Sequence, residues 1–252
     1  MRSEILLRIR RQDGPNEPGY TQEFRLDYRP NLNVIACLQE IARNPVDAQG
    51  KRVAPPVWDC NCLEEVCGAC TMLINDVPQQ SCSCLIDNLP EGPIELAPLT
   101  KYQVVRDLVV DRQPMFDALK RVKAWMPVDG THPLGPGPKR SPEQQQAHYI
   151  LSRCMTCGCC MEACPNYDGL HPEQFVGPAP LSQAQLFNNH PTGEMIKNER
   201  LDALMDRGGI AACGNAQNCV EVCPKDIPLT EAIAELNKET NKRWLKKLFG
   251  GR

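Results

Sequence analysis

Cys154, Cys157, Cys160 and Cys164, the last followed by Pro165, are answered further along the chain by Cys213, Cys219 and Cys223, the last followed by Pro224. Thiols at intervals of three, closed by a Cys-Pro step, have the spacing of iron–sulfur ligands, in which the fourth thiolate crosses to a second cluster. By that rule Cys223 completes Cys154, Cys157 and Cys160, which is enough for a 4Fe-4S cluster, and Cys164 joins Cys213 and Cys219. The second run carries Ala216 where its remaining thiol belongs. Three thiolates and a methyl group offer nothing to a fourth iron, so the expected centre there is 3Fe-4S.

Upstream, Cys62, Cys67 and Cys70 have four and then two residues between them. This is the spacing of a 2Fe-2S site, whose fourth ligand lies further along. Cys82 is the expected fourth ligand and Cys84 its rival. Gly68 and Ala69 leave room for backbone amides to turn toward the sulfurs. Zinc would need four tetrahedral ligands, usually as two separated C-x-x-C pairs, which a triple run ending in Cys-Pro does not supply. The opening Met1-Arg2-Ser3-Glu4 runs straight into strand-like sequence without an apolar leader, so a reducing compartment is expected and disulfides are not. The remaining Cys37, Cys60, Cys84 and Cys159 read as buried apolar residues.

The elements that must hold these ligands fall into two groups. The 252 residues suffice for two modest domains, and a net charge of -3 gives no reason to expect nucleic acid. No apolar run reaches membrane-spanning length. Ile5, Leu7 and Ile9 alternate with polar residues, the turn Asp13-Gly14-Pro15-Asn16 follows, and Phe24, Leu26 and Tyr28 alternate again, which reads as a hairpin. Asn33 is the expected N-cap of a helix carrying Val34, Leu38, Ile41 and Ala42, ended by Pro45. Met72-Leu73-Ile74 leads into an Asn75-Asp76 turn, with Ser81 to Ile86 as the returning strand and Ile94-Glu95-Leu96 as the last. Such a mixed sheet with one helix is the ubiquitin-like, β-grasp arrangement of plant-type ferredoxins.

From residue 112 the pattern turns helical. Met115, Leu119, Val122 and Met126 share a helical face, and a Pro/Gly-rich break runs from Pro127 to Pro138. Ser141-Pro142-Glu143-Gln144 opens a capped helix to about Leu151. Further helices are expected from Asn198 to Asp206 and after Pro228, and Arg243 to Phe249 is expected to dock on its own domain. His132, His148, His171 and His190 lie in or near loops without ligand spacing. The fold class is α+β, a β-grasp plant-type ferredoxin domain over 1–111 followed by an all-α bacterial-ferredoxin-like domain over 112–252.

The order of the three cysteine sites, with alanine for the missing thiol, resembles the iron–sulfur subunits of succinate dehydrogenase and fumarate reductase over nearly the whole chain. The stretch Cys62-Leu63-Glu64-Glu65-Val66-Cys67-Gly68-Ala69-Cys70 and the linker Val105 to Asp111 support it. Gly177-Pro178-Ala179-Pro180-Leu181 and His190-Pro191-Thr192-Gly193 are most similar to the Gram-positive type. The resemblance selects Cys82 over Cys84, since eleven residues separate Cys82 from Cys70. It implies a separate FAD-binding flavoprotein that oxidises succinate, a membrane-anchor cytochrome b carrying two haems b, and menaquinone as acceptor near the 3Fe-4S end. It places this chain at the cytoplasmic face of the membrane, held by the anchor, as part of succinate dehydrogenase, with fumarate reductase as the alternative direction. No G-x-G-x-x-G fingerprint is present, so no dinucleotide is expected here. Among residues that approach quinone in ubiquinone-reducing relatives, Pro165 matches, Gly214 replaces a histidine, and no tryptophan occurs in Asn166-Tyr167-Asp168-Gly169.

Overall fold

The computed structural model describes residues 3–127 and 139–250. Met1, Arg2, His132 and the expected break beyond Pro127 lie outside them. The chain divides into two compact units, Met1–Arg112 with Met155–Glu162, and Gln113–Cys154 with Ala163–Arg252. The division falls one residue after the expected boundary, and it assigns the middle of the first bacterial-type cysteine run to unit 1.

Unit 1 contains β1 (Glu4–Arg11), β2 (Tyr20–Asp27), α1 (Val34–Arg43), β3 (Thr71–Ile74), β4 (Val77–Gln80), β5 (Ile94–Ala97), β6 (Val104–Arg106) and β7 (Val109–Val110). The five-stranded sheet has the order β2-β1-β5-β3-β4, with β1 and β5 parallel, which is the β-grasp topology. Strand β1 buries Ile5, Leu7 and Ile9, as alternation requires. Helix α1 is capped by Asn33, whose Oδ1 accepts from Ala36 N at 2.8 Å, and packs Val34, Leu38 and Ile41 into the core.

The expected returning strand at Ser81 to Ile86 is displaced. Asn75 and Asp76 have φ of 50° and 63°, so the turn has only two residues and Val77 already pairs with Ile74. Two consecutive left-handed residues give the tight hairpin turn whose twist matches the strands. Ser81 to Leu85 instead runs past the start of α1, where Val34 N donates to Cys84 O and Asn33 Nδ2 to Cys82 O.

The stretch from Val105 to Asp111 is built into the fold. Arg11 and Asp107, with side chains 1% and 0% exposed, form an ion pair at 2.9 Å. The Asp107 carboxylate also accepts from the backbone N–H groups of Gln12 and Val57, and Arg11 donates to Ala54 O.

Unit 2 contributes α2 (Gln113–Arg121) and α3 (Pro142–Ser152), while the short α4 (Cys159–Glu162) belongs to unit 1. Then follow α5 (Pro178–Asn189), α6 (Lys197–Met205), α7 (Asn218–Glu221) and α8 (Leu229–Leu248). All described regular elements of unit 2 are helical. Helix α5 is buried nearly all round and packs against α8, α6, α3 and α2. Helix α3 starts with the expected capping box of Ser141 and Gln144.

Helix α2 stops earlier than its apolar stripe implies. Lys123 is left-handed at φ 54°, and the buried Arg200 guanidinium takes the carbonyls of Lys123 and Trp125 at 2.9 and 3.0 Å. Val122 is therefore buried but Met126 is exposed. His148, expected in or near a loop, lies within α3, with its ring centroid 5.4 Å from that of His190. The end of α8 docks only in part. Arg243 and Lys247 pair with Asp202 on α6, whereas Trp244, Leu245, Leu248 and Phe249 remain exposed. No helix of the described residues is long and apolar enough to cross a membrane.

Removing one partner of a buried ion pair leaves the other charge uncompensated, at a cost of about 3–5 kcal/mol. Asp107→Ala is expected to lower the thermal unfolding midpoint of unit 1 markedly. An unchanged midpoint would show that the pair carries no stability.

Candidate iron-sulfur sites

Unit 1 presents the 2Fe-2S loop. Leu63, Glu65 and Gly68 have φ of 62°, 56° and 70°, and these left-handed residues turn successive peptide N–H groups inward. Glu65 N donates to Cys82 Sγ at 3.3 Å, Val66 N and Cys67 N to Cys62 Sγ at 3.3 Å, and Ala69 N to Cys67 Sγ at 3.4 Å. The Cys62 thiol is drawn down to about 7, first by the Glu64 N–H and then by that of Val66. The buried Cys70 thiol is pushed up to about 12 by desolvation. Amides aimed at sulfur are what an anionic cluster requires. Four thiols with this donor set fit a 2Fe-2S centre.

Cys84 is distinguished from Cys82 by its surroundings. Both lie in the hydrophobic core, where burial raises the Cys84 thiol to about 11, but only Cys82 accepts from one of the loop amides named above, that of Glu65. Cys37 and Cys159 are likewise buried, but Cys60 is exposed, contrary to expectation. It lies in the cluster loop itself, where Leu63 and Val66 are also exposed.

The two bacterial-type runs have matching backbones. In the first, Thr156 and Gly158 flank Cys157 with φ of 52° and 94°; in the second, Asn215 and Gln217 flank Ala216 with φ of 54° and 67°. Each run continues into a one-turn helix, α4 or α7, and then a Cys-Pro step. Ala216 thus occupies the conformational position of Cys157. Left-handed backbone at a β-branched residue such as Thr156 costs about 1–3 kcal/mol, a strain typical of functional loops.

In unit 2, Cys164, Cys213 and Cys219 line one pocket together with Ala216, Pro165 and Asn166. Cys219 is raised to about 11, by burial first and then by the like charges of Cys164 and Cys213. Bound iron would relieve that repulsion, since a coordinating metal deprotonates its thiols. Among the described residues no three His, Cys, Asp or Glu side chains gather tightly enough for a single ion. Three thiols and a methyl group lining one pocket fit a 3Fe-4S centre. A β-carbon at Gly214 would lie 2.7 Å from Asn166 Oδ1, so Asn166 fills the space a larger residue 214 would take.

The four cysteines expected at the 4Fe-4S centre are divided between the units. Cys157 and Cys160 belong to unit 1, Cys154 and Cys223 to unit 2. The Cys157 thiol is drawn down to about 7, chiefly by a hydrogen bond from the Cys159 side chain, with the Arg112 charge contributing, while Cys159 is pushed strongly upward.

Sequence reasoning missed Arg112 and Gln80. Arg112 donates to Gly68 O at 2.8 Å and to Cys157 O; Gln80 donates to Cys159 Sγ at 3.5 Å. Neither lies in a cysteine motif.

Comparison with known proteins finds a 2Fe-2S and a 4Fe-4S domain in this chain. The family described as a 2Fe-2S iron-sulfur cluster binding domain matches residues 6–117, and a 4Fe-4S dicluster domain matches residues 150–227. The succinate dehydrogenase iron-sulfur subunit of Bacillus subtilis is 58% identical over 242 residues, spanning 96% of this chain and 94% of its own. The chain belongs to the succinate dehydrogenase iron-sulfur subunit family. The fumarate reductase iron-sulfur subunit of Wolinella succinogenes is 30% identical, over 90% of this chain and 92% of its own. A chain of the Mycobacterium smegmatis Sdh1 complex in the apo form superposes with a TM-score of 0.77 at 19% identity, covering 96% of this chain and 98% of that one, which shows a common fold.

Two substitutions test the sites. Gly68→Ala places a β-carbon 2.7 Å from Cys157 Cα at a positive φ, so loss of most of the 2Fe-2S signal in electron paramagnetic resonance (EPR) is expected; full retention would contradict the packing. Ala216→Cys is expected to replace the oxidised-state 3Fe-4S signal with a 4Fe-4S signal of lower potential and to slow quinone reduction. An unchanged 3Fe-4S signal in a fully loaded variant would show that residue 216 does not set the cluster type.

Proposed function

We propose that this chain carries electrons singly from a succinate-oxidising flavoprotein to a membrane quinone, as the iron–sulfur subunit of succinate dehydrogenase. The observation that carries this reading is 58% identity to a succinate dehydrogenase iron-sulfur subunit along nearly the full length of both chains. The lower identity to a fumarate reductase subunit makes the reverse direction the weaker alternative.

The proposed ligands are Cys62, Cys67, Cys70 and Cys82 for 2Fe-2S, Cys154, Cys157, Cys160 and Cys223 for 4Fe-4S, and Cys164, Cys213 and Cys219 for 3Fe-4S. When bound, these clusters supply one-electron carriers in series. The residues of the chain hold the thiolates, turn amide donors onto them and set how deeply each is buried, the means by which protein tunes a cluster's potential. Gly214 and Asn166 place no titratable side chain beside the 3Fe-4S pocket where related proteins carry histidine. Quinone, proposed as menaquinone, therefore binds mainly on the anchor. The proposed partners are a flavoprotein with FAD and a dihaem cytochrome b anchor, which holds this chain at the cytoplasmic face of the membrane.

Affinity purification of the tagged chain from membranes is expected to bring down a flavin-containing and a haem-containing subunit, and succinate is expected to reduce the clusters of that assembly. A fully loaded chain that purifies alone, or an assembly whose clusters succinate leaves oxidised, would overturn the reading.

A further inference from the structure

Within unit 1, two cysteine loops touch through their backbones. Gly68, beside Cys67 and Cys70, packs so closely on Cys157 that an added β-carbon would sit 2.7 Å from Cys157 Cα and 2.8 Å from its Cβ. The Arg112 guanidinium closes over this contact, donating one N–H to Gly68 O at 2.8 Å and another to Cys157 O. Its Nε is buried without a hydrogen-bond partner among the described residues, so the two terminal nitrogens carry the interaction. A second tie runs alongside. Gln80 is 1% exposed and donates to Cys159 Sγ at 3.5 Å and to Thr71 Oγ1, next to Cys70, at 2.6 Å.

We propose that Arg112 is a positioning residue for electron transfer between the 2Fe-2S and 4Fe-4S sites: its guanidinium fork locks the Gly68 and Cys157 peptides together, and its charge raises the potential of the cluster that Cys157 holds. The proposal rests on the ligand assignment above. In the step itself one electron leaves the 2Fe-2S side and one arrives at the 4Fe-4S side, with no proton moved and no covalent bond broken or made. Tunnelling falls off steeply with distance, so a contact without intervening side chains favours the transfer. Gly68 supplies that closeness and Arg112 holds it. A planar fork can bridge two carbonyls in fixed geometry, whereas an ammonium is a mobile point charge. A fixed positive charge near a cluster favours its reduced, more negative state.

The test uses the purified complex carrying Arg112→Gln or Arg112→Lys, with iron and sulfide measured, redox-titrated by EPR. In Arg112→Gln the 4Fe-4S potential is expected to fall by the equivalent of about a tenfold change in the reduced-to-oxidised ratio, ~59 mV for a one-electron couple. The magnetic coupling between the reduced 2Fe-2S and 4Fe-4S centres is expected to weaken with it. Arg112→Lys is expected to keep the potential close to that of the unsubstituted complex and still lose coupling, which separates charge from bridging. Unchanged potential and coupling in fully loaded Arg112→Gln overturn the proposal. If that variant does not load, Arg112→Lys decides, and unchanged coupling there overturns it. A Cys157→Ser complex that keeps its full 4Fe-4S signal would instead refute the ligand assignment, a different result from a null effect at Arg112.

Discussion

Thiolates crowded into a small volume repel one another, and the chain meets this constraint by turning peptide N–H groups onto sulfur. Turning successive amides the same way requires left-handed backbone, which appears at Leu63, Glu65 and Gly68 around one site and at Asn215 and Gln217 around another. Such loops have little stability of their own, so neighbouring elements must fix them. The two-residue turn between β3 and β4 sets the approach of Cys70 to Cys82, and Asn33 both caps α1 and holds the Cys82 carbonyl.

The paired runs separate what backbone does from what a side chain does. Cys157 and Ala216 sit between left-handed residues of nearly the same geometry, yet one offers a thiol and the other a methyl group. On the proposed ligand assignment, cluster type changes at one position without remodelling the loop. The same economy holds at Gly214, where the absent side chain leaves its space to Asn166. The proposed electron path thus depends on a few small residues as much as on its ligands.

Much of this was legible in the sequence because it is local. Cysteine spacing, the alternation of Ile5, Leu7 and Ile9, the Asn33 cap and the Ser141–Gln144 capping box are each read within a few residues. What escaped depends on partners far along the chain. The Arg11–Asp107 pair closes a separation of 96 residues, and although alternation puts Arg11 on the buried face of β1 after Ile9, no local pattern names its partner. Helix α2 ends where Arg200 captures its trailing carbonyls, which no apolar stripe records. The position of the returning strand turned on two torsion angles at Asn75 and Asp76, and shifting them moved a strand by several residues. Arg112 and Gln80 were missed for the same reason, since each acts on cysteine loops outside its own segment.

The chain is proposed to hold three clusters of different type, with the 3Fe-4S centre at Ala216. Mössbauer spectroscopy of the oxidised, isotopically enriched complex, with iron counted per chain, tests it most directly. One 2Fe-2S, one 4Fe-4S and one 3Fe-4S component in equal amounts are expected. Two 4Fe-4S components at full iron loading, with no 3Fe-4S component, would contradict it.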